Sequence, residues 1–438
     1  MRENKPSLTR REFLKKSAGL AALGMSAASI FDEARAQQEP IPTRSPNEKI
    51  VLGLIGCGGM GRGDMRDILA TGMTEVAAVC DPDQSRLDDT MKELEGKATP
   101  YKDFRALLER KDIDAVIVGT PDHWHALPTI YACQAGKDVY VEKPLSHNLV
   151  EGRAMVTAAR RYGRVVQMGT QQRSGTHFQK AVEIVRSGVL GPISLCRAWN
   201  VSNEAPGGIG NPPDSDPPPG LDYDLWLGPA PKRPYNPNRC HYLFRWFWDY
   251  AGGMITDWGT HLLDILLWGM NAEYPSAVSA SGGKFVLQDN RDTPDTMEVT
   301  YEFPNFVIVY SSRKACGRGM DGAGYGMQFH GSNGTLFVDR GGFQVYPEGD
   351  RMQPIVCGGS DQHYPHCVNF VECVKSRERP ICDVEIGHRS TSLPHLGNVA
   401  LHVGRKLHWD GQNERIIGDE AANRLLSRPY RAPWTLPL

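Results

Sequence analysis

The chain's 438 residues exceed what one compact core holds and predict two domains once any leader is removed. Its 49 basic and 51 acidic side chains leave a formal net charge of −2, which gives no electrostatic footprint for nucleic acid or for an anionic membrane surface. A small, neutral partner is the expectation. The ten cysteines include no C-x-x-C pair, and Cys57, Cys80, Cys133 and Cys196 sit inside apolar segments, so neither a disulfide framework nor a metal site is expected.

The first residues carry Thr9-Arg10-Arg11-Glu12-Phe13-Leu14-Lys15, then a mildly apolar region and an A-x-A site at Ala34-Arg35-Ala36. That order predicts a twin-arginine signal peptide over residues 1–36, a polar linker over 37–48 and export to the periplasm. The apolar stretch is too short and too rich in Ala, Gly and Ser to remain as a spanning helix, so no membrane anchor is expected in the mature protein. Twin-arginine export carries folded proteins, which suits an enzyme that acquires a nucleotide cofactor beforehand.

From Lys49 an apolar, β-branched run stops at Gly56, and Gly56, Gly58 and Gly61 stand in G-x-G-x-x-G register before a helix-like segment over 62–69. Gly59 and Met60 complete the turn. Glycine is needed because the turn demands backbone angles a Cβ forbids, and because a pyrophosphate must touch bare N–H groups at a helix N-terminus. A second apolar run ends in Asp81, twenty residues after Gly61, where a carboxylate accepts hydrogen bonds from a ribose. Asp81 predicts NAD, while Arg86 in the next segment leaves NADP possible. Strand-like runs then end in Gly119-Thr120-Pro121, in Glu142-Lys143-Pro144 and in Gly169-Thr170-Gln171-Gln172-Arg173, with helix-like segments between them. Repeated strand–helix units predict a dinucleotide-binding Rossmann domain over 49–170, a doubly wound parallel sheet with ligands at the carboxyl ends of its strands.

The texture changes after residue 170. A helix over 177–187 and a strand over 193–201 lead into residues 203–237, which hold ten prolines, with Trp226-Leu227-Gly228-Pro229 pinning down the second half. Alternating runs about Pro304-Asn305 and Ser332-Asn333-Gly334 read as antiparallel hairpins. Residues 171–438 are therefore expected to form an α+β domain with a large, mainly antiparallel open sheet.

Three clusters carry chemistry. In Glu142-Lys143-Pro144 the proline stiffens a turn that holds the lysine at a strand end, although a solvated lysine fits the same tripeptide. In residues 252–264 a helix puts Asp257 and His261 one turn apart, with Asp264 a further turn on and Ile255, Trp258, Leu262 and Leu266 on the opposite face. A carboxylate there fixes the imidazole tautomer and raises its basicity; a buried structural pair is the alternative. Metal ligation by Asp257 and His261, or by His123 and His125, lacks a third ligand. The third cluster is aromatic: Tyr242, Phe244, Trp246, Phe247, Trp248 and Tyr250 fill half of residues 239–250, and such faces suit the C–H-rich face of a sugar ring.

With these residues the chain resembles the glucose–fructose oxidoreductase, inositol dehydrogenase and MocA family (Gfo/Idh/MocA) from about Lys49 to Asp410, most specifically in the lysine turn combined with Asp257-x-x-x-His261. The resemblance implies that Lys143 orients a substrate hydroxyl and shares its proton, that His261 acts as acid and base, and that Asp257 positions both. Thr120, Pro121, His125, Glu142, Lys143 and Gln171 match positions lining the family's nicotinamide pocket. Expected substrate contacts are Lys143, Gln172, Arg173, Tyr235, Trp246, Asp257 and His261. The segment from Tyr364 to Asp410 resembles exported sugar-processing members. Hydride transfer between a secondary hydroxyl of a sugar, glycoside or polyol and a tightly bound NAD(P) follows. The alternative is an NAD-dependent glycosidase or lyase working through a transient keto-sugar with no net redox change. A homo-oligomer is expected, and the proline-rich segment, which departs from the minimal family pattern, is expected to close over the dinucleotide.

Overall fold

The computed structural model describes residues 48–437, so the expected leader and all but the last residue of the expected linker lie outside the described residues. Six strands, β1 (Ile50–Ile55), β2 (Thr74–Cys80), β3 (Thr99–Tyr101), β4 (Ala115–Val118), β5 (Asp138–Val141) and β6 (Val166–Met168), form a parallel sheet in the order β3-β2-β1-β4-β5-β6. Between them run α1 (Gly59–Ala70), α2 (Gln84–Glu93), α3 (Phe104–Leu108), α4 (Ala126–Gln134) and α5 (Leu149–Arg161). Helices on both faces bury β4 and β5 completely, which is why those strands read as unbroken apolar runs. The chain order reverses between β1 and β4, which is where a doubly wound sheet takes its ligand.

Ten further strands build one open sheet in the order β14-β13-β12-β11-β7-β10-β9-β8-β15-β16. They are β7 (Ile193–Val201), β8 (Ala277–Gly283), β9 (Thr296–Glu302), β10 (Val307–Arg313), β11 (Tyr325–Gly331), β12 (Gly334–Asp339), β13 (Gly342–Pro347), β14 (Ile355–Gly358), β15 (Leu407–Asp410) and β16 (Arg415–Ile416). Only β7 and β10 run parallel. Along β9, Met297, Val299 and Tyr301 alternate inward, and they pack with Leu262, Leu266, Leu393 and Leu396. Those partners come from α8 (Thr260–Met270) and α10 (Val384–Val403); α6 (Thr176–Arg186), α7 (Tyr223–Leu227) and α9 (His363–Ser376) complete the longer helices.

Segments beyond residue 170 pack back onto the nucleotide-binding sheet. Cys367, Phe370, Val371 and Val374 of α9 share a core with Ile50, Leu52 and Leu54 of β1, and Trp434 packs against Phe104 and Trp124. Residues 203–250 also build a small core of their own, in which Leu221, Trp226 and Leu227 meet Cys240, Trp246, Phe247 and Tyr250. That unit is tied to the nucleotide-binding sheet: Gln84 N–H donates to Gly220 O (3.2 Å), Asp222 N–H to Pro82 O (3.0 Å) and Trp124 Nε1–H to Trp226 O (2.9 Å). All ten cysteines are unpaired, and among the described residues no helix is long and apolar enough to cross a membrane.

Candidate active site

The glycine turn is built by close backbone approach. Gly56 has φ +96°, and a Cβ there would stand 2.6 Å from Gly119 C; one at Gly61 would stand 2.2 Å from Gly56 O. Gly59 faces open space, and α1 has neither a side-chain cap nor an acidic residue in its first turn. Its free N–H groups and positive dipole end thus stand ready for a phosphate. Asp81 Oδ2 accepts Cys57 N–H (2.8 Å) and Oδ1 accepts Asp83 N–H (3.0 Å), which fixes the carboxylate and leaves each oxygen a lone pair for a ribose hydroxyl. Beside Asp81, an apolar cavity bounded by Ile55, Phe104, Trp124, Leu225 and Trp226 offers flat walls for an adenine ring.

A cleft of about 430 Å³ continues from Gly58 to His261 along the ends of β4 and β5. Lys143 Nζ donates to Asp257 Oδ1 (2.7 Å) and to the Asp257 carbonyl (3.2 Å), and Arg245 Nη1 lies 3.1 Å from Asp257 Oδ2. Burial alone would raise the Asp257 pKa, but Lys143 and Arg245 hold it well below the carboxylate range. The carboxylate stays ionised. Its charge opposes the fall of the His261 pKa, but among the described residues it makes no hydrogen bond to the imidazole: Asp257 sits in a π-helical turn, Ile255–Gly259, and α8 begins only at Thr260. The wider turn takes Asp257 out of the α spacing, and both its oxygens are occupied by cations. His261 Nδ1 has no partner among the described residues, and burial together with Lys143 and Arg340 pushes the ring well below its usual pKa. The imidazole is neutral at neutral pH.

Other groups close the cleft. Burial pushes Asp122 up to about 7, with Lys143 opposing and Asp257 adding to the rise. Glu142 is likewise held well above the carboxylate range by burial and by Asp64; its Oε2 accepts Lys143 N–H (3.2 Å). Glu142 Oε1, Thr120 Oγ1 and Gln171 Oε1 are buried without a partner among the described residues. Orphaned polar atoms around one cleft are what a ligand carrying both donors and acceptors satisfies. Together with the glycine cradle and Asp81, they fit a nicotinamide dinucleotide.

Several expected residues lie elsewhere. His125 braces the loops from behind, Nδ1 facing Pro144 O (2.7 Å) and Nε2 facing Thr120 O (2.9 Å), rather than lining the cleft. Arg173 is spent on Asp264, Nε to Oδ2 2.7 Å, and Gln172 is fully buried beside it. Trp246 belongs to the core of the 203–250 unit and carries Arg291 and Lys314 over its ring; Tyr235 packs edge-on against Tyr223. These four are therefore supports, not cleft-lining substrate contacts. Trp258, expected on the apolar face, instead lines the cleft with Tyr242 and Phe244. Asp122, Arg245 and Arg340 line it too and were not anticipated. The aromatic run was the available signal for Arg245, and the Thr120-Pro121 strand end for Asp122. Arg340, in a turn between two late strands, carries no local mark.

Comparison with known proteins agrees with this geometry. Residues 50–170 match an oxidoreductase family's NAD-binding Rossmann fold, and residues 175–436 match the C-terminal alpha/beta domain of the same family. A glycosyl hydrolase family 109 protein of Shewanella pealeana is 29% identical over 206 residues, covering 42% of this chain and 44% of that protein. The chain thus spans under half the length of that relative. The WlbA dehydrogenase from Bordetella pertussis, solved with NADH and UDP-GlcNAcA, superposes with TM-score 0.63 at 18% identity over 83% of this chain and 99% of its own. A levoglucosan dehydrogenase in complex with NADH and levoglucosan gives TM-score 0.65 at 18% identity, over 82% and 99%. At these identities the two structures establish the fold. Because the matched domains span most of the sequence, the chain belongs to the Gfo/Idh/MocA family of NAD-binding oxidoreductases.

Proposed function

We propose that this protein moves a hydride between a secondary hydroxyl of a sugar, glycoside or polyol and a nicotinamide seated in the cleft. The observation that carries this reading is the Lys143 ammonium, anchored by Asp257 at the end of β5 and facing a neutral His261 in the same cleft. Bound NAD supplies the hydride acceptor. The remaining chemistry is proton handling by the chain. His261, unprotonated at neutral pH, takes the hydroxyl proton as the carbon is oxidised, and returns it in the reverse direction. Lys143 donates a hydrogen bond to the oxygen as negative charge develops on it. Asp257 keeps that ammonium aimed, acting through Lys143. Tyr242, Phe244 and Trp258 line the same cleft, and aromatic side chains suit the C–H side of a sugar.

A redox-neutral glycoside cleavage is the second reading. The glycosyl hydrolase relative and the 203–250 unit docked beside the adenine cavity support it, since a retained cofactor suits a cycle that returns its hydride. Export through the twin-arginine signature, which we also propose, favours the same economy. Incubating the purified protein and its Lys143→Ala variant with sugars and glycosides tests both readings. Nicotinamide reduction with a keto product supports the oxidoreductase, and aglycone release without net reduction supports the cleavage cycle. Neither event with any sugar, glycoside or polyol would overturn the proposal.

A further inference from the structure

Arg340 lies in the turn between β12 and β13 and lines the cleft. The turn is firmly set: Gly341 N–H donates to Asp339 Oδ1 (2.7 Å), His177 Nε2 meets Asp339 O (3.0 Å), and Gly359 N–H donates to Gly341 O (2.7 Å). The guanidinium carbon stands 4.9 Å from the centroid of the Trp258 ring, whose own centroid is 6.4 Å from that of His261. Arg340 Nε is buried with no hydrogen-bond partner, and among the described residues no carboxylate pairs with the side chain.

The contrast with its neighbours decides what Arg340 is for. Lys143 and Arg245 share the Asp257 carboxylate, Arg86 faces the glycine turn, and burial raises Asp122 and Glu142 above the usual carboxylate range. Lys143 and Arg245 are thus already committed to Asp257, whereas Arg340 has no ion-pair partner among the described residues. The chain's overall balance of −2 favours neutral partners, but the cleft does not follow that balance. Burial pulls the Arg340 pKa down, and Tyr325, Glu142 and Asp257 oppose the fall only through space, none of them in an ion pair with the guanidinium. With one face covered by indole, its N–H edge remains the free recognition element, and that planar fork matches a carboxylate or a phosphate bidentately.

We propose that Arg340 anchors an anionic group of the substrate, so that the sugar taken by this cleft carries a carboxylate or a phosphate. This rests on the reading of the cleft as a sugar oxidoreductase site. Arg340 stacks on Trp258, whose ring stands beside His261, so an anion held by the guanidinium belongs to a sugar in the same cleft as the imidazole.

The test uses the NAD-loaded full chain with D-glucuronate, D-galacturonate, D-glucose 6-phosphate, D-glucose and D-galactose. Binding is followed by tryptophan fluorescence and turnover by nicotinamide absorbance, in the parent protein and in Arg340→Gln and Arg340→Lys. An acidic probe should bind more tightly than its neutral counterpart by about ten- to a hundredfold, the range of a charge-assisted hydrogen bond. Arg340→Gln should erase that preference through Kd and KM, and Arg340→Lys should restore part of it. Uronates or the phosphate ester, whichever binds, names the anion. Neutral sugars bound as well as acidic ones, no probe bound, or an Arg340→Gln variant that loses NAD rather than sugar affinity, would each overturn the anchor. Arg340-dependent binding without nicotinamide reduction would keep the anchor and sink the oxidoreductase reading; reduction by neutral sugars regardless of Arg340 would do the reverse.

Discussion

Lys143 Nζ and Asp257 Oδ1 lie 2.7 Å apart although 114 residues separate them, so one buried ion pair joins the end of β5 to the π turn before α8. The nucleotide-binding sheet and the second domain are thereby tied together at the cleft. A buried pair of this kind is costly to break from one side, because the surviving charge keeps its desolvation penalty.

Lys143→Ala should lower turnover by about two to four orders of magnitude while NAD remains bound. Asp257→Asn should lower it less, since Lys143 stays in the cleft without its aim. Steady-state kinetics together with cofactor titration checks this, and loss of NAD binding in Lys143→Ala with the chemistry otherwise intact would count against a catalytic lysine.

Two carboxylates in this cleft predict opposite pH dependences of stability. Asp257 is depressed below its unfolded value, so its contribution is present above about pH 4 and is lost as the pH falls further. Asp122 is raised to about 7, so the folded state holds the extra proton and stability declines as the pH rises from about 4 through 7. Urea denaturation at pH 5 and pH 8 should show a smaller decline for Asp122→Asn than for the parent. An equal decline in both would show that Asp122 titrates normally.

His261 carries a separate expectation. Because burial and the nearby cations hold it well below its ordinary value, the pH profile of kcat should show no inflection near 6.5 from this group. His261→Asn should reduce turnover by about two to four orders of magnitude without shifting the remaining inflections. An inflection near 6.5 that vanishes in His261→Asn would assign the ring an ordinary pKa.

The nucleotide cradle was legible because each signal is local: an apolar strand, glycines at fixed offsets, an acid at the end of the next strand. Asp257 was expected to position both Lys143 and His261, and its bond to Lys143 is as expected; the second half was not legible, since an α spacing pointed Asp257 at His261 and a π turn is not visible in hydrophobic periodicity. The aromatic run misled because clustering in sequence says nothing of direction: Trp246, Phe247 and Tyr250 turn into a core made with Leu221 and Trp226, while Tyr242 and Phe244 turn to the cleft. Arg173 stood at the expected strand end, yet its partner Asp264 lies 91 residues on. Arg340 was invisible because only the pairing of β12 with β13 brings it to Trp258.

The last prediction concerns how the cofactor is kept. The expectation that residues 203–237 close over the dinucleotide becomes specific in the structure, because different parts of the segment contact different things. Residues 204–209 face Asp289 and Arg291, with Glu204 Oε2 2.8 Å from Arg291 Nη2 and Ile209 N–H donating to Asp289 Oδ2 at 2.9 Å. Leu225 and Trp226 instead wall the cavity beside Asp81, and Gly220 and Asp222 are bonded to the backbone at Gln84 and Pro82. His241, further along, sets its Nε2 2.7 Å from Asp83 Oδ2. An adenine ring seated there would leave only after these contacts open. Protein purified without added nucleotide should therefore carry NAD(H) close to one per chain, as judged by denaturation and chromatography of the released cofactor. Leu225→Ala removes apolar wall worth about 1.5–3 kcal/mol when fully covered, so NAD should dissociate about ten- to a hundredfold faster. Trimming exposed residues within 206–213 should leave that rate nearly unchanged. A protein that is empty as purified, turns over only in millimolar NAD and releases NADH to solution would show that this unit does not retain the cofactor.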